Sequence, residues 1–262
     1  MDLGLTGRVT LVTGSNRGTG FIIAKLLAKE GATVLVHSIE QGESEDPASE
    51  ISGSIAVSGD ITTDAGAQEL TDQIKDKTLK VDILVNNYGT AAQGNWRSLN
   101  TDDWIDIYQK NSLSIMRMVK AFIPDMIESG YGRVVNLGTV GSTRPNKRMP
   151  HYYASKAALA NMTVSLAKEL ATTGITVNLV SPGLIRTPEV EATYLERARK
   201  ENWGDTWGEV EERIVNKYAP NPVGRIATRE EVANVVIFLC SQAASFVNAQ
   251  NIRVDGGALD II

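Results

Sequence analysis

Short runs of branched apolar residues alternate with amphipathic stretches along almost the whole of this chain. The runs that predict strands are 9–12, 33–36, 55–57, 83–85, 134–137, 175–180 and 252–254. They lack the apolar–polar alternation of a strand with one wet face, so each predicted strand is buried on both sides. We therefore predict an α/β fold, namely one doubly wound Rossmann-type domain over residues 1–262. It would have about seven parallel strands and helices on both faces of the sheet.

The stretches between these runs predict helices at 20–29, 64–75, 101–128, 150–171 and 229–240. Thr101 is the predicted cap of the third helix. Thr228 and Glu231 form a capping-box pattern at the start of the last helix. The acidic residues of segment 38–53 are interrupted by glycine and proline, so we expect at most a single helical turn there.

Residues 188–226 form a predicted insertion that is too long to be an ordinary connection. The insertion carries Tyr194, Trp203, Trp207 and Tyr218 between charged residues. Such a helical lid could close over a substrate and exclude water. Equally, its tryptophans could do no more than pack the insertion onto the domain.

Composition narrows the possible classes of function. The 262 residues carry a formal net charge of −5, which leaves no general basic surface for nucleic acid. Two histidines and the single Cys240 do not predict a metal site, and Cys240 lies in an apolar run typical of a core. Because no charged leader precedes a long apolar stretch, we expect a cytoplasmic protein without a membrane partner.

A glycine-rich string directly follows the first predicted strand and leads into a helix. It reads Thr13-Gly14-Ser15-Asn16-Arg17-Gly18-Thr19-Gly20. Glycines at such positions allow a tight turn and a close approach of the backbone to a pyrophosphate at the helix N-terminus. The strand before it and the helix after it indicate a dinucleotide site.

Tyr152 and Lys156 lie four residues apart in the helix that is predicted to follow Pro150, so they share one helical face. The pKa of a free phenol is about 10, and an ammonium group held beside the phenol lowers it. The hydroxyl of Thr139 could bind the oxygen on which Tyr152 acts. From the residues alone Tyr153 is a competitor, since it also lies within reach of Lys156.

Six strings, in this order along the chain, resemble the short-chain dehydrogenase/reductase family over essentially the whole length. They are the TGxxxGxG string at 13–20, Asn86-Asn87-Tyr88-Gly89 for the family's NNAG, Asn111 in the next helix, the YxxxK string at 152–156, the stretch from Asn178 through Pro182-Gly183 to Thr187, and Val254-Asp255-Gly256-Gly257. Tyr88 replaces the usual alanine.

The resemblance implies an enzyme that transfers a hydride between a nicotinamide cofactor and a ketone or secondary alcohol. Its implied catalytic set is Asn111, Thr139, Tyr152 and Lys156. The family's tyrosine commonly follows its catalytic hydroxyl by thirteen residues, and Tyr152 follows Thr139 by that number. The family usually has serine where this chain has Thr139, and Ser142 is the fallback hydroxyl.

The implied roles are equally specific. Tyr152 is the proton donor, and Lys156 lowers the pKa of Tyr152 and holds the cofactor ribose. Thr139 polarises the substrate oxygen. Asn111 holds a water molecule that links Lys156 to solvent, although a mid-helix asparagine that makes only a local bond is the simpler structural reading.

The resemblance also implies a set of cofactor-binding residues. They are Gly14, Ser15, Asn16, Arg17, Gly18, Thr19, Gly20, His37, Ser38, Asp60, Ile61, Asn87, Gly89, Tyr152, Lys156, Pro182, Gly183, Ile185 and Thr187. NADP(H) is favoured, because Arg17 suits a 2′-phosphate and Ser38 stands where NAD-preferring members have an aspartate. NAD(H) is possible, because Glu40, Glu43 and Glu45 would repel a phosphate if their segment folded inward.

Substrate and assembly are less constrained. Arg144, Lys147 and Arg148 precede the catalytic helix and could attract an anionic or carrier-borne substrate, or form a solvated face. The resemblance implies a homotetramer or homodimer that acts on a small carbonyl or alcohol. The alternatives are an NAD-dependent alcohol dehydrogenase, an enzyme of the same fold that performs dehydration or epimerisation, and a catalytically silent nucleotide-binding regulator.

Overall fold

The computed structural model describes residues 2–261, which form a parallel sheet of seven strands with helices on both faces. The strand order is β3-β2-β1-β4-β5-β6-β7, and each neighbouring pair is parallel. The strands are β1 Val9–Val12, β2 Thr33–Ser38, β3 Ser54–Ser58, β4 Ile83–Asn86, β5 Gly132–Leu137, β6 Ile175–Pro182 and β7 Asn251–Val254. The predicted doubly wound Rossmann-type fold is confirmed.

The helices fill the connections between the strands. They are α1 Gly18–Lys29, α2 Glu45–Ser49, α3 Asp64–Asp76, α4 Thr101–Tyr108, α5 Ser114–Ser129, α6 Pro150–Glu169, α7 Pro188–Lys200, α8 Trp207–Tyr218 and α9 Arg229–Cys240. The short α2 agrees with the single turn predicted for the acidic segment. Thr228 and Glu231 form the predicted capping box of α9. Within residues 2–261, no helix has the length and apolar character needed to span a membrane.

Two apolar layers hold the sheet between the helices. On one face, Ile23 and Leu27 of α1 pack with Val236 of α9. On the other face, Leu70 of α3 packs with Phe122 of α5. Because the central strands contribute side chains to both layers, they must be apolar on both sides, which is the pattern that the sequence shows.

The helix predicted over 101–128 differs from expectation in two ways. Its cap is Asn100 rather than Thr101, because the Asn100 side chain accepts from the Asp103 backbone N–H at 3.0 Å and the Asp103 carboxylate accepts from that of Asn100 at 2.8 Å. A π-helical segment, Gln109–Leu113, separates α4 from α5. Such wide turns occur often at functional sites, and this one contains Asn111.

The sheet topology creates a crevice between β1 and β4. These two strands are neighbours, but the chain leaves β1 toward β2 and β3 on one side and continues from β4 toward β5 on the other. Their connecting loops therefore diverge at the carboxyl ends of the strands, which is where open α/β sheets bind ligands. The segments that follow β1, β4 and β5 all begin at this edge.

The insertion over 188–226 folds as α7 and α8 around a small core of its own, with Ala198, Trp207 and Ile214 buried in it. The Trp203 ring lies 6.2 Å from that of Tyr218, and the Lys217 ammonium lies 4.8 Å from the Trp203 ring centre. Trp203 and Trp207 thus pack within the insertion, and the role of the insertion as a lid over a substrate stays a prediction.

A buried arginine fastens the edge of the sheet opposite the crevice. Arg133 donates to the backbone carbonyls of Gly132 at 2.8 Å, Gly174 at 3.2 Å and Ser241 at 3.3 Å, and to the Gln242 side chain at 3.3 Å. Its guanidinium also lies 4.5 Å from the ring centre of Tyr131. One side chain thus connects β5 to the approaches of β6 and to the end of α9.

We expect Arg133→Met to lower the free energy of unfolding by about 2–4 kcal/mol, because buried carbonyl groups lose their donors. Urea unfolding followed by circular dichroism measures this change. The matched control is Lys80→Met, since Lys80 forms only an exposed ion pair with Glu128, which contributes little to stability. Equal losses in the two variants would contradict the anchoring role of Arg133.

Candidate active site

Thr139 and Tyr152 meet at the carboxyl end of β5. Thr139 lies two residues after the last residue of β5, and Tyr152 lies in the first turn of α6, which begins at Pro150. The Thr139 hydroxyl lies near the Tyr152 phenol, and its proximity acts to lower the pKa of Tyr152. The Thr139 hydroxyl accepts from the Gly141 backbone N–H at 3.2 Å, so its own proton is left for another acceptor.

The competing hydroxyls have other partners. Ser142 donates to the Thr139 backbone carbonyl at 2.7 Å. The Tyr153 hydroxyl accepts from the Asn146 side chain at 2.9 Å. The structure therefore brings together Thr139 and Tyr152, the pair selected by the thirteen-residue spacing, and not Ser142 or Tyr153.

The pKa of Tyr152 differs from the prediction. Burial raises it to about 12, more than the nearby Thr139 hydroxyl lowers it. Lys156 is not among the groups that shift the pKa of Tyr152, and its ammonium donates to the Leu137 backbone carbonyl at 2.7 Å. The predicted lowering of the pKa is thus wrong for this structure, and Tyr152 is a protonated phenol at neutral pH.

Lys156 is a buried cation at the centre of the site. Burial lowers its pKa to about 8. The loop after β4 passes close above it: a β-carbon at Gly89 would lie 3.1 Å from the Lys156 nitrogen and 2.5 Å from the Asn111 side-chain oxygen. Only glycine allows this approach, so Gly89 brings Lys156 and Asn111 to the same loop.

Asn111 is fully buried, and its amide holds the loop after β4. Its oxygen accepts from the Thr90 backbone N–H at 3.1 Å, and its nitrogen donates to the Thr90 carbonyl at 2.9 Å and the Ile107 carbonyl at 3.1 Å. In a π turn the backbone N–H groups reach one residue further back, which leaves a carbonyl for a side chain to satisfy. The local bond to Ile107 is present, and the water relay through Asn111 stays a prediction.

The glycine-rich loop suits an anionic group. Gly14 and Gly18 have φ angles of +60° and +62°, and the space above Gly18 is open. A β-carbon at Gly20 would overlap the Asn87 amide and lie 2.5 Å from the Gly14 carbonyl. Helix α1 starts here without a side-chain cap or an acidic residue in its first turn. The positive end of α1 therefore faces a cradle that backbone N–H groups can line, which fits a pyrophosphate.

His37 and Ser15 support this loop from behind. The Gly14 backbone N–H donates to His37 Nδ1 at 3.0 Å, and His37 Nε2 pairs with the Gly59 carbonyl at 3.0 Å. Ser15 is buried and donates to the Val12 carbonyl at 2.7 Å. The structure leaves neither ring nitrogen of His37 free to contact a cofactor as predicted, so His37 fixes the loop instead.

Asn87 has a similar supporting position. Its amide nitrogen donates to the carbonyls of Thr13 and Gly14, both at 2.9 Å. These bonds join the loop after β4 to the glycine-rich loop across the crevice. The amide nitrogen of Asn87 is therefore used within the protein, and a contact between Asn87 and a cofactor stays a prediction.

The predicted cofactor-choice residues lie at the ends of β1 and β2. Arg17 is exposed, and Ser38 is buried with its hydroxyl bonded to the Glu40 carbonyl at 2.7 Å. The Asn16 amide donates to the Glu43 carboxylate at 3.2 Å. The acidic segment does fold inward, so Glu43 lies against the loop that carries Arg17.

The remaining predicted cofactor residues follow β3 and β6. Asp60 accepts from the backbone and side chain of Thr62 at 3.0 and 2.6 Å, while the Ile61 side chain is in the core, so only its backbone can face the crevice. Gly183 donates to the Val254 carbonyl at 3.0 Å. Thr187 caps α7.

The segment between β6 and α7 runs along the same edge of the sheet. Pro182 ends β6, and Ile185 pairs with Ala227 in an isolated parallel bridge. Thr187 accepts from the Val190 backbone N–H at 3.3 Å. Hydrogen bonds from the backbone and from Thr187 lower the pKa of Glu189, and the charge of Arg17 lowers it further.

Comparison with known proteins gives consistent matches. Residues 14–258 match the family described as enoyl-(acyl carrier protein) reductase. The chain is 33% identical to the 3-oxoacyl-acyl-carrier-protein reductase of Escherichia coli over 256 residues, which cover 96% of this chain and 97% of that protein.

Two solved structures share the fold over nearly their full lengths. An L-sorbose reductase from Gluconobacter frateurii, complexed with NADPH and L-sorbose, superposes with a TM-score of 0.93 at 28% identity and 100% coverage of both chains. A 3-oxoacyl-acyl-carrier-protein reductase from Agrobacterium tumefaciens, with NADP bound, gives 0.85 at 30% identity, covering 97% of this chain and 95% of the other.

We expect His37 to make the stability of the protein depend on pH. Burial lowers its pKa from 6.5 to about 4, so the folded protein keeps the ring neutral while the unfolded chain takes up a proton. The stabilisation is complete above pH 6.5 and declines as the pH falls toward 4, by about 2 kcal/mol between pH 7.5 and 5.

Urea unfolding of wild type and His37→Gln at the two pH values measures this difference. The pH-dependent loss should be smaller in the variant by about that amount. The other histidine, His151, is unchanged in both proteins and therefore cancels. An identical loss in both proteins would show that His37 is already accessible to protons in the folded state.

Proposed function

The chain belongs to the short-chain dehydrogenase/reductase family, and from this we propose that it catalyses reversible hydride transfer between NADP(H) and a ketone or the matching secondary alcohol. The observation that carries the proposal is the placement of the Thr139 hydroxyl near the Tyr152 phenol, one helical turn from the buried Lys156. These groups line the crevice that begins at the glycine-rich loop.

Groups of the protein would bind the cofactor along its whole length. NADPH, when bound, supplies the hydride. The backbone of residues 14–20 binds the pyrophosphate, and Asp60 with the backbone of Ile61 holds the adenine. The segment from Pro182 through Gly183 and Ile185 to Thr187 frames the nicotinamide.

Tyr152 acts as the general acid in reduction. Since its pKa is about 12, the phenol is protonated at neutral pH and donates its proton to the carbonyl oxygen of the substrate. The Thr139 hydroxyl lies against the Tyr152 hydroxyl, so one substrate oxygen accepts from both and is polarised. Oxidation needs the phenolate, so we expect alcohol oxidation to be favoured at higher pH than reduction.

Lys156 supports both directions of the reaction. One ammonium proton is fixed on the Leu137 carbonyl, which orients the remaining two toward the crevice for a ribose hydroxyl. With a pKa of about 8, Lys156 is mostly charged at neutral pH and can release a proton slightly above it. Asn111 holds the loop over this ammonium and is proposed as the start of the path to solvent.

Two kinds of observation support a preference for NADP(H), namely the cofactors of similar proteins and the charges of this chain. The similar L-sorbose reductase and the Agrobacterium reductase were solved with NADPH and NADP. In this chain the exposed Arg17 offers a guanidinium at the loop, while Ser38 leaves no carboxylate for a 2′-hydroxyl. The Glu43 carboxylate would repel a 2′-phosphate, so the cofactor preference depends on the balance between the charges of Arg17 and Glu43.

The first experiment measures NADPH oxidation with a panel of 3-oxoacyl thioesters, cyclic ketones and ketoses. We expect turnover of at least one class, and Tyr152→Phe should lower kcat by about 10²–10⁴ because only the proton donor is removed. NADPH binding, measured by fluorescence, should change little. Tyr131→Phe is the control, since its hydroxyl lies at the opposite edge of the sheet and has no hydrogen-bond partner among the described residues. Normal turnover of Tyr152→Phe would refute the role of Tyr152.

The second experiment tests cofactor choice. Arg17→Ala should weaken NADPH relative to NADH by about one to two decades, the size of one charge-assisted contact. Glu43→Gln should shift the preference the opposite way, because it removes the carboxylate beside the loop. Lys25→Ala, an exposed cation on α1, is the control. If the wild type prefers NADH and Arg17→Ala leaves that preference unmoved, Arg17 is only a solvated cation.

A further inference from the structure

A second phenol lies beside Tyr152, and the proposed chemistry does not use it. The rings of Tyr152 and Tyr153 are 5.4 Å apart between centroids and tilted by 54°. Tyr153 is partly buried. The two phenol rings therefore lie side by side at the start of α6.

The Tyr153 ring fills the space beside Gly141, in the turn that follows β5. The 3₁₀ turn Val140–Ser142 starts directly after Thr139. A β-carbon at Gly141 would overlap the Tyr153 ring, so the ring lies flat on the backbone of this turn. Gly141 has no positive φ angle that would require glycine, so the ring is what excludes a larger residue here.

The direction of the Tyr153 hydroxyl is fixed by Asn146. The Asn146 oxygen accepts from the Arg148 backbone N–H at 2.8 Å, which turns the amide nitrogen toward Tyr153. The Tyr153 oxygen is therefore an acceptor for Asn146, and its own proton must point to another group. Among residues 2–261 no acceptor for that proton lies within hydrogen-bond distance.

The same segment is joined to the loop after β4. The Arg148 carbonyl accepts from the Gly94 backbone N–H at 2.8 Å. The loop that carries Asn146 is thus held against a second wall of the crevice, and the Tyr153 donor is held by the fold and not by a free loop. A rigid donor with an unused proton is what a specific polar contact requires.

We propose that Tyr153 determines substrate specificity by donating a hydrogen bond to a second oxygen of the substrate, next to the carbonyl that Tyr152 protonates. The preferred substrates are then hydroxy ketones and the corresponding vicinal diols. This inference rests on the proposed function. A site built to bind a hydroxyl discriminates strongly against an analogue without it, because its own polar group loses a partner.

If the Tyr153 ring served only to pack against the turn, the choice between substrates would not depend on its hydroxyl. Phenylalanine fills the same space as tyrosine, and the bond from Asn146 would then have no effect on the choice of substrate. The contrast between a hydroxy ketone and its parent ketone therefore separates the two roles. Loss of general support for Tyr152 would lower the turnover of both ketones equally.

The experiment compares kcat/KM for 3-hydroxy-2-butanone with that for 2-butanone, using NADPH. We expect wild type to prefer the hydroxy ketone, and Tyr153→Phe to lower this ratio by about tenfold or more, mainly through KM. The pH profile of kcat should not move, since Tyr152 remains the donor. Asn146→Ala should lower the same ratio without changing the ring, and Tyr131→Phe is the control.

Each result of these measurements either supports or overturns the proposed role of Tyr153. An equal fall for both ketones in Tyr153→Phe, or a wild type that does not distinguish them, would overturn the proposal for Tyr153 while leaving the proposed function intact. Gly141→Ala must displace the Tyr153 ring and should therefore also reduce the ratio; an unchanged ratio would count against the proposal. Turnover of no ketone with either NADPH or NADH would overturn the proposed function and this inference together.

Discussion

Burial of the Lys156 ammonium group at the carboxyl edge of the sheet is the constraint on which the site depends. A buried cation is costly, and here the cost appears as a lowered pKa. Its partner is the backbone carbonyl of Leu137, the last residue of β5, and within residues 2–261 no carboxylate pairs with it. The charge is therefore uncompensated and available to an anionic, hydroxyl-bearing ligand.

The rest of the site is arranged around this cation. Gly89 lets the loop after β4 pass over it, and the π turn brings the Asn111 side chain to the same loop. Across the crevice, Asn87 joins that loop to the glycine-rich loop, which His37 holds from behind. The contacts form one hydrogen-bonded frame over the carboxyl ends of β1, β2, β4 and β5, so a cofactor would meet a surface that is already organised.

The sequence predicted those parts that depend on local pattern. The strands are apolar on both sides because both sides are covered, and the Thr228–Glu231 box marks the start of α9 because all its bonds lie within one turn. The sequence did not predict the π turn, the inward fold of Glu43 or the support role of His37. These depend on contacts between residues far apart in the chain, such as Asn111 with Thr90 and His37 with Gly14. The raised pKa of Tyr152 was missed for a related reason, since it follows from burial of the phenol in the folded protein.

The most direct test of this account is the titration of Lys156 in the folded protein, followed by NMR with lysine labelled with carbon-13 at Cε. Lys156→Met assigns its signal. The account predicts one lysine signal that titrates near pH 8 and is absent from the variant. If every lysine titrates at the ordinary value of about 10.4, the ammonium is solvated, and the buried, uncompensated cation at the centre of the site does not exist.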